Sequence, residues 1–144
     1  MRRRGNVFAI ALAVAAVMAG CGDSDQEESV RALVEGTSTE GAEATVEAFF
    51  RAGNQRDAKT ICGLLTAEQA RAFGQATGGD CESGMTAVFE EEDPPRTKVI
   101  IEDVRVSGER ATVDATITQG GETRPSSLDL IQEGGEWKLV DPGV

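Results

Sequence analysis

The reactive chemistry available to this 144-residue sequence rests mainly on cysteine and carboxylate side chains, because it contains no His and no Tyr. The missing His removes the usual side chain for proton transfer near neutral pH and the commonest nitrogen ligand for metals. Three cysteines remain, Cys21, Cys62 and Cys81, beside 25 acidic residues. What these groups can do depends on where the rest of the chain places them.

Cys21 ends an N-terminal segment that has the features of an export signal. Residues 1–4 carry three arginines, and residues 8–19 form an unbroken apolar run. Such a run is too short to span a bilayer comfortably and is typical of a secretory signal. Residues 17–21, VMAGC, resemble the lipobox of bacterial lipoproteins. The resemblance implies a diacylglyceryl group on Cys21, cleavage before it, and acylation of the new N-terminus with chains such as palmitate.

A lipid anchor at Cys21 would hold the protein on the outer leaflet of the cell membrane, outside the cytoplasm. Each buried CH₂ of an acyl chain contributes ~0.8 kcal/mol, so two or three chains anchor firmly where one does not. Residues 1–20 are then a lipoprotein signal peptide, and the polar, acidic residues 21–41 form a flexible tether. The alternatives are an uncleaved anchor and a plain signal peptide in which Cys21 is incidental.

With Cys21 assigned to the lipid, Cys62 and Cys81 are left in an oxidising compartment. Two cysteines without a His cannot complete a four-ligand zinc site, and the redox pattern Cys-x-x-Cys is absent from the sequence. We therefore expect a disulfide between them. It would close a loop of about twenty residues, worth roughly 3 kcal/mol in the chain-entropy model.

Residues 100–141 have the pattern of a four-stranded β-meander. Glycines mark three turns, at 108–109, 120–121 and 134–135, and each turn is treated as a two-residue hairpin loop. The resulting pairs are Val106 with Ala111, Val104 with Val113, Val113 with Leu128, Ala111 with Leu130, and Leu130 with Leu139. A shift of one residue would turn each apolar set to the opposite face of the sheet. The agreement of the three turns therefore supports this register.

The helical pattern before the sheet begins with an apolar stripe. Its members fall at positions i, i+4, i+7, i+8 and i+11, and are Ala42, Val46, Phe49, Phe50 and Gly53. This spacing predicts an amphipathic helix. Ser38 or Thr39 would cap its start, and Gly53-Asn54 would end it.

Three shorter helices are expected after the first. Asp57 and Thr66 are the predicted N-caps of the second and third, and Gly78-Gly79 would end the third. Residues 81–89 form the fourth helix, and the acidic, Pro-containing residues 90–95 form a loop. Four adjacent acids in that loop lack the glycine and the alternating oxygen ligands of a calcium loop. No metal site is predicted there.

The order of parts, helices first and then an antiparallel meander, resembles the cystatin-like, cone-shaped domain of the nuclear transport factor two and ketosteroid isomerase superfamily. It is most similar to the small actinobacterial lipoproteins that carry this domain. The residues that carry the resemblance are 44–56, 58–65 with Cys62, 104–113 and the Gly-Glu-Trp-Lys ending at 135–138. The resemblance implies an α+β domain over residues 42–144, with N-terminal helices packed on a curved four-stranded sheet.

The inside of such a cone is expected to be apolar in this chain. The candidate cavity-lining residues are Val46, Phe49, Phe50, Val104, Val113, Leu130, Trp137 and Leu139. Enzymes of the superfamily use Asp with Tyr, or Asp with His, inside the cone, and neither pair can be carried over. Glu102 is the one acid in phase with Val104 and Val106, which would put it at the cavity mouth. However, Ile101 is out of phase with those valines and predicts a bulge or bend near Glu102-Asp103.

Three functions compete on this sequence. The favoured one is a non-catalytic binding module, without cofactor or metal, for a small apolar ligand or an envelope protein. The alternatives are a structural envelope protein whose cone is filled, and an isomerase or dehydratase acting through Glu102. The net charge of -11 repels phosphate backbones, so a nucleic-acid partner is not expected.

Overall fold

Four helices precede a four-stranded antiparallel sheet in the computed structural model, which describes residues 38–142. The helices are α1 Thr39–Gln55, α2 Ala58–Leu64, α3 Ala67–Thr77 and α4 Cys81–Glu92. The strands are β1 Thr97–Ser107, β2 Arg110–Gln119, β3 Glu122–Glu133 and β4 Glu136–Asp141. This order confirms the predicted α+β class, with the helices packed on a curved meander.

The N-terminal predictions lie largely outside these residues. Cys21, the signal peptide and most of the tether fall in residues 1–37, which the structure does not describe. The tether was expected to reach residue 41, yet α1 begins at Thr39. The folded domain therefore starts three residues before the predicted boundary.

The sheet follows the chain in the order β1-β2-β3-β4. Gly108, Gly120 and Gly134 each open a turn with a positive φ near 60°, where a Cβ would be strained. All five predicted apolar pairs are confirmed: Val106 with Ala111, Val104 with Val113, Val113 with Leu128, Ala111 with Leu130, and Leu130 with Leu139. The predicted bulge is confirmed too, because the β1–β2 register shifts between Ile101 and Asp103.

Each described helix starts at a side chain that accepts a hydrogen bond from a backbone N–H three residues on. Ser38 accepts from Gly41, at 3.2 Å from Oγ to N. Asp57 and Thr66, both predicted caps, accept at 3.0 and 3.1 Å. Asp80, which was not predicted, does the same for α4 at 3.0 Å. Such a cap stabilises a helix by ~1 kcal/mol.

Two helix ends differ from the prediction. Helix α1 continues past Gly53-Asn54, and Arg56 ends it with a left-handed φ of 58°. Helix α4 continues through the glutamates to Glu92, and Asp93 ends it before Pro94. Glutamate is a good helix former, so nothing stops α4 until the residue before a proline, which disfavours the helical conformation.

The core lies between α1 and the concave face of the sheet. Its members with 1% exposure or less include Val46, Val113, Leu130, Trp137 and Leu139. The last strand is tied to the helices, because the Thr66 N–H donates to the Leu139 carbonyl at 3.0 Å. This part of the cone is closed.

Candidate ligand pocket at the open end of the cone

A cavity of about 260 Å³ opens where the second half of α1 meets α2, α4 and the residues that lead into β1. Its apolar wall comprises Phe49, Phe50, Ile61, Met85, Phe89, Pro94 and Pro95. Phe49 and Phe50 meet edge to face, with ring centroids 5.5 Å apart. An open cavity lined mainly by apolar side chains is the usual form of a small-molecule site.

The polar part of the wall fixes the geometry of the pocket. The Asn54 amide donates from Nδ2 to the Thr97 carbonyl and accepts at Oδ1 from the Thr97 N–H, both at 2.7 Å. These two bonds join the end of α1 to the start of β1. Gln119, at the end of β2, donates to the Pro95 carbonyl at 3.5 Å. Asn54 is therefore held in place by Thr97 and shapes the pocket, while the second N–H of its amide takes no part in these two bonds.

The charged residues of the wall are Arg56 and Arg96, and the described wall contains no carboxylate. Arg56 is occupied: its guanidinium pairs with Asp93 and donates to the Phe89 carbonyl. Together with the bonds from the Arg56 backbone N–H to the Ala52 and Gly53 carbonyls, these contacts hold a non-glycine residue in the left-handed conformation at the end of α1. Arg96 is exposed and has no ion pair or hydrogen bond to another described residue.

A disulfide braces the helical side of the pocket. The Cys62 and Cys81 sulfurs are 2.01 Å apart, with their Cα atoms 6.0 Å apart. The structure thus places at disulfide distance the pair that the sequence led us to expect. The bond joins α2, which contributes Ile61 to the wall, to α4, which contributes Met85 and Phe89.

The eight candidate cavity residues divide into two groups. Phe49 and Phe50 line the pocket. The other six, which do not line it, are Val46, Val104, Val113, Leu130, Trp137 and Leu139. Val104 is half-buried on β1 and the other five are in the closed core. Trp137, one of these five, is fully buried.

The sequence pattern missed the wall that α4 and the following residues provide. Met85 and Phe89 are one helical turn apart, a spacing that was available in the sequence. Pro94, Pro95 and Arg96 belong to the predicted loop and its exit, where no periodic pattern points to a site.

Glu102 is not at the cavity mouth. The bulge turns its side chain to the outer face of the sheet, where it is exposed and accepts from the Thr116 hydroxyl at 2.5 Å. Asp114 lies on the same outer face, as expected from its polar phase. Donation from Ser127, and then from Arg105, holds the pKa of the Asp114 carboxyl below its usual range. These carboxylates make ordinary surface interactions away from the pocket.

Residues 38–142 contain no group of three or more Cys, Asp or Glu side chains arranged to hold a metal ion. None of the helices in this part of the chain is both long enough and apolar enough to cross a bilayer.

Comparison with known proteins gives a likeness of fold only. No family model and no curated protein matches the sequence. The chain is similar to an NTF2-like protein of unknown function from Shewanella baltica, with a TM-score of 0.46 and 13% identity, over 84% of this chain and 93% of that one. It is similar to a cystatin-fold protein from Novosphingobium aromaticivorans, with a TM-score of 0.42 and 18% identity, over 67% of this chain and 95% of that one. It is also similar to a proposed dehydratase of the NTF2-like family from Streptomyces avermitilis, with a TM-score of 0.47 and 17% identity, over 70% of this chain and 89% of that one. No activity or ligand follows for this chain from likenesses of this size.

Proposed function

We propose that this protein is a non-catalytic binding module, held on the outer leaflet of the cell membrane by acyl chains on Cys21, that takes a small apolar ligand into the pocket. The observation that carries the proposal is the cavity of about 260 Å³ with its largely apolar wall. Burial of apolar ligand surface would supply the main driving force for binding, at roughly 25 cal/mol per Å².

The side chains in the wall support binding over catalysis. Proton abstraction needs a base within hydrogen-bond reach of the substrate and a donor for the developing oxyanion. Arginines could stabilise an oxyanion, but the described wall offers no carboxylate as the base. Glu102, the residue considered for that role, lies on the other face of the sheet.

A structural envelope protein with a filled cone is the second candidate, and one observation favours it. Val113, Leu130, Trp137 and Leu139 fill the inner part of the cone to 1% exposure or less. The two candidates differ in what they predict for the open end. A binding module takes up a ligand there, whereas a scaffold does not.

Blocking the pocket tests the proposal. Gly53 lines the cavity within α1, and no atom beyond its two chain neighbours and its own helix backbone lies within 4 Å of the position that a Cβ would take. Gly53→Leu should therefore fill the cavity without disturbing the helix, in which Leu is a better residue than Gly. Gly63→Leu is the matched control, because Gly63 also has free space in a helix but lies outside the pocket wall.

The protein to use is the mature chain from position 21, with Cys21→Ala so that no detergent is needed. The expected result by calorimetry is that octan-1-ol, a neutral apolar probe, binds this chain and the Gly63→Leu variant but not the Gly53→Leu variant. Native mass spectrometry of the lipidated protein from its own membrane should show a bound small molecule. Absence of octan-1-ol binding from all three chains would favour the filled scaffold.

The anchor is tested separately. The lipobox-like residues 17–21 support it, and the expected intact mass is that of a chain starting at Cys21 with its acyl groups. Cys21→Ala should shift the protein from the detergent phase to the aqueous phase. An exported protein with an unmodified Cys21 would overturn the anchor but leave the pocket unaffected.

A further inference from the structure

We infer that the ligand of this pocket carries a single negative charge on its apolar body, most simply a carboxylate, and that Arg96 recognises it. The inference rests on the proposed function and names the class of ligand. It comes from the distribution of charge around the cavity.

The pocket has the opposite charge to the chain as a whole. The sequence carries 25 acidic and 14 basic residues, yet the charged residues of the described wall are Arg56 and Arg96. The positive charge of Arg56 is balanced by Asp93. One guanidinium, that of Arg96, is thus left at the pocket without a partner among the described residues.

Arg96 also stands where the cavity continues into a surface groove between α1 and β1. It lines both, together with Phe50, Asn54 and Thr97. The charged residues of the groove are Glu47, Arg51 and Arg96, which leave one net positive charge. A ligand whose apolar body fills the cavity would therefore place its polar end beside Arg96, where one negative charge is matched.

The chemistry of Arg96 favours a carboxylate. A guanidinium is planar and presents paired N–H donors that fit the two oxygens of a carboxylate, which makes a stronger bond than a neutral pair. Asn54 is the weaker donor for this role, since its amide is neutral and has one N–H left beyond its bonds to Thr97. Small carboxylic acids with an aliphatic or aromatic body have the required combination.

Octanoate and octan-1-ol form a probe pair that differs at the head group, and calorimetry on the mature chain with Cys21→Ala compares them. Arg96→Gln should weaken the binding of octanoate by about three- to tenfold, the range expected between a solvated and a partly desolvated ion pair. It should leave the Kd for octan-1-ol within about twofold of that of the starting chain. Arg96→Lys keeps the charge but not the planar guanidinium, so it should lose less affinity for octanoate than Arg96→Gln does. Added salt should weaken the binding of octanoate but not that of octan-1-ol.

The control variant is Arg110→Gln, which makes the same change of charge at the other end of the sheet. Arg110 pairs with Ser107 beside the β1–β2 turn, whereas the pocket lies at the Thr97–Gln119 end. Equal weakening of octanoate by Arg110→Gln and Arg96→Gln would overturn the inference, because overall charge would then explain it. Equal weakening of both probes by Arg96→Gln, or no weakening of either, would also overturn it. If octan-1-ol still binds, each of those results leaves the proposed apolar pocket unaffected. If the starting chain, the mature chain with Cys21→Ala, binds neither probe, both proposals are refuted.

Discussion

The two ends of the cone use similar apolar side chains and differ in how completely they pack. At the closed end Trp137 and Leu139 are fully buried between sheet and helix. At the open end Phe49 and Phe89 are 8% exposed, and Met85 is half-buried beside a cavity. The difference indicates that the closed end is packed without space, whereas the buried rings of the open end leave room for a guest beside them.

The largest expected effect is at the closed end. Trp137→Ala should lower the free energy of unfolding by roughly 3–5 kcal/mol, because it removes a large buried ring and leaves a cavity. Met85→Ala at the open end should cost much less, since its side chain is only partly buried. Thermal and urea unfolding of the two variants give the comparison.

Trp137→Phe refines that test. The indole Nε1 is buried without a hydrogen-bond partner in the described part of the chain, and such a group costs stability. Phenylalanine keeps most of the apolar volume and removes the unpartnered N–H, so it should lose far less than alanine does. A loss for Trp137→Ala no larger than the loss for Met85→Ala would contradict the proposed division between the two ends.

The next largest effect is expected from removing the disulfide, which lies at the open end. Replacing both Cys62 and Cys81 by Ser should cost roughly 3 kcal/mol in the chain-entropy model. It should also weaken binding of the neutral apolar probe, because α2 and α4 both supply the pocket wall. Peptide mapping without reductant should first show the two cysteines linked. Free alkylation of either one in the exported protein would contradict the bond.

The closed end could be predicted from the sequence because its determinants are local or periodic. Three glycine turns fix the register, and a shift of one residue would turn the apolar residues to the opposite face, so the strand partners of Val113 and Leu130 were predicted correctly. The caps Asp57 and Thr66 were predicted for the same reason, since each bonds to an N–H three residues away.

Apart from Phe49, Phe50 and the disulfide, the open end could not be predicted because distant contacts determine it. Arg56 ends α1 in a left-handed conformation that local propensity disfavours, and its partners lie at Phe89 and Asp93. The bulge that turns Glu102 outward was foreseen, but its direction was not. The cavity itself is the space that α1, α2 and α4 leave when they meet, which no single segment encodes.

A smaller effect should appear in acid. Hydrogen bonds from Thr60 lower the pKa of the Asp57 carboxyl, and hydrogen bonds from Ser83 lower the pKa of Asp80. A pKa that is lower in the folded state gives stability that is present above the unfolded value, near 4, and is lost as the pH falls through the folded value. The capped helices α2 and α4, which wall the pocket, should therefore weaken below about pH 4.

The matched variant is the double replacement Asp57→Asn and Asp80→Asn. Asparagine caps a helix about as well as aspartate but does not titrate in this range. Unfolding measured between pH 7 and pH 2 should show a smaller loss for this variant than for the parent chain. An equal loss in both would mean that other carboxylates, such as Asp114, account for the acid sensitivity.

The smallest effect is expected for Glu102→Gln, which distinguishes the outer face of the sheet from the pocket. Glu102 is exposed and bonded to the Thr116 hydroxyl, and the amide oxygen of glutamine can accept the same bond. Surface changes of this kind usually alter stability by no more than ~0.5 kcal/mol. Because the bulge holds the side chain on the face opposite the cavity, binding of the apolar probe should also be unchanged. A folded Glu102→Gln protein that had lost its function in cells, beside a Gly53→Leu protein that had kept it, would place the active surface on the outer face and refute the pocket.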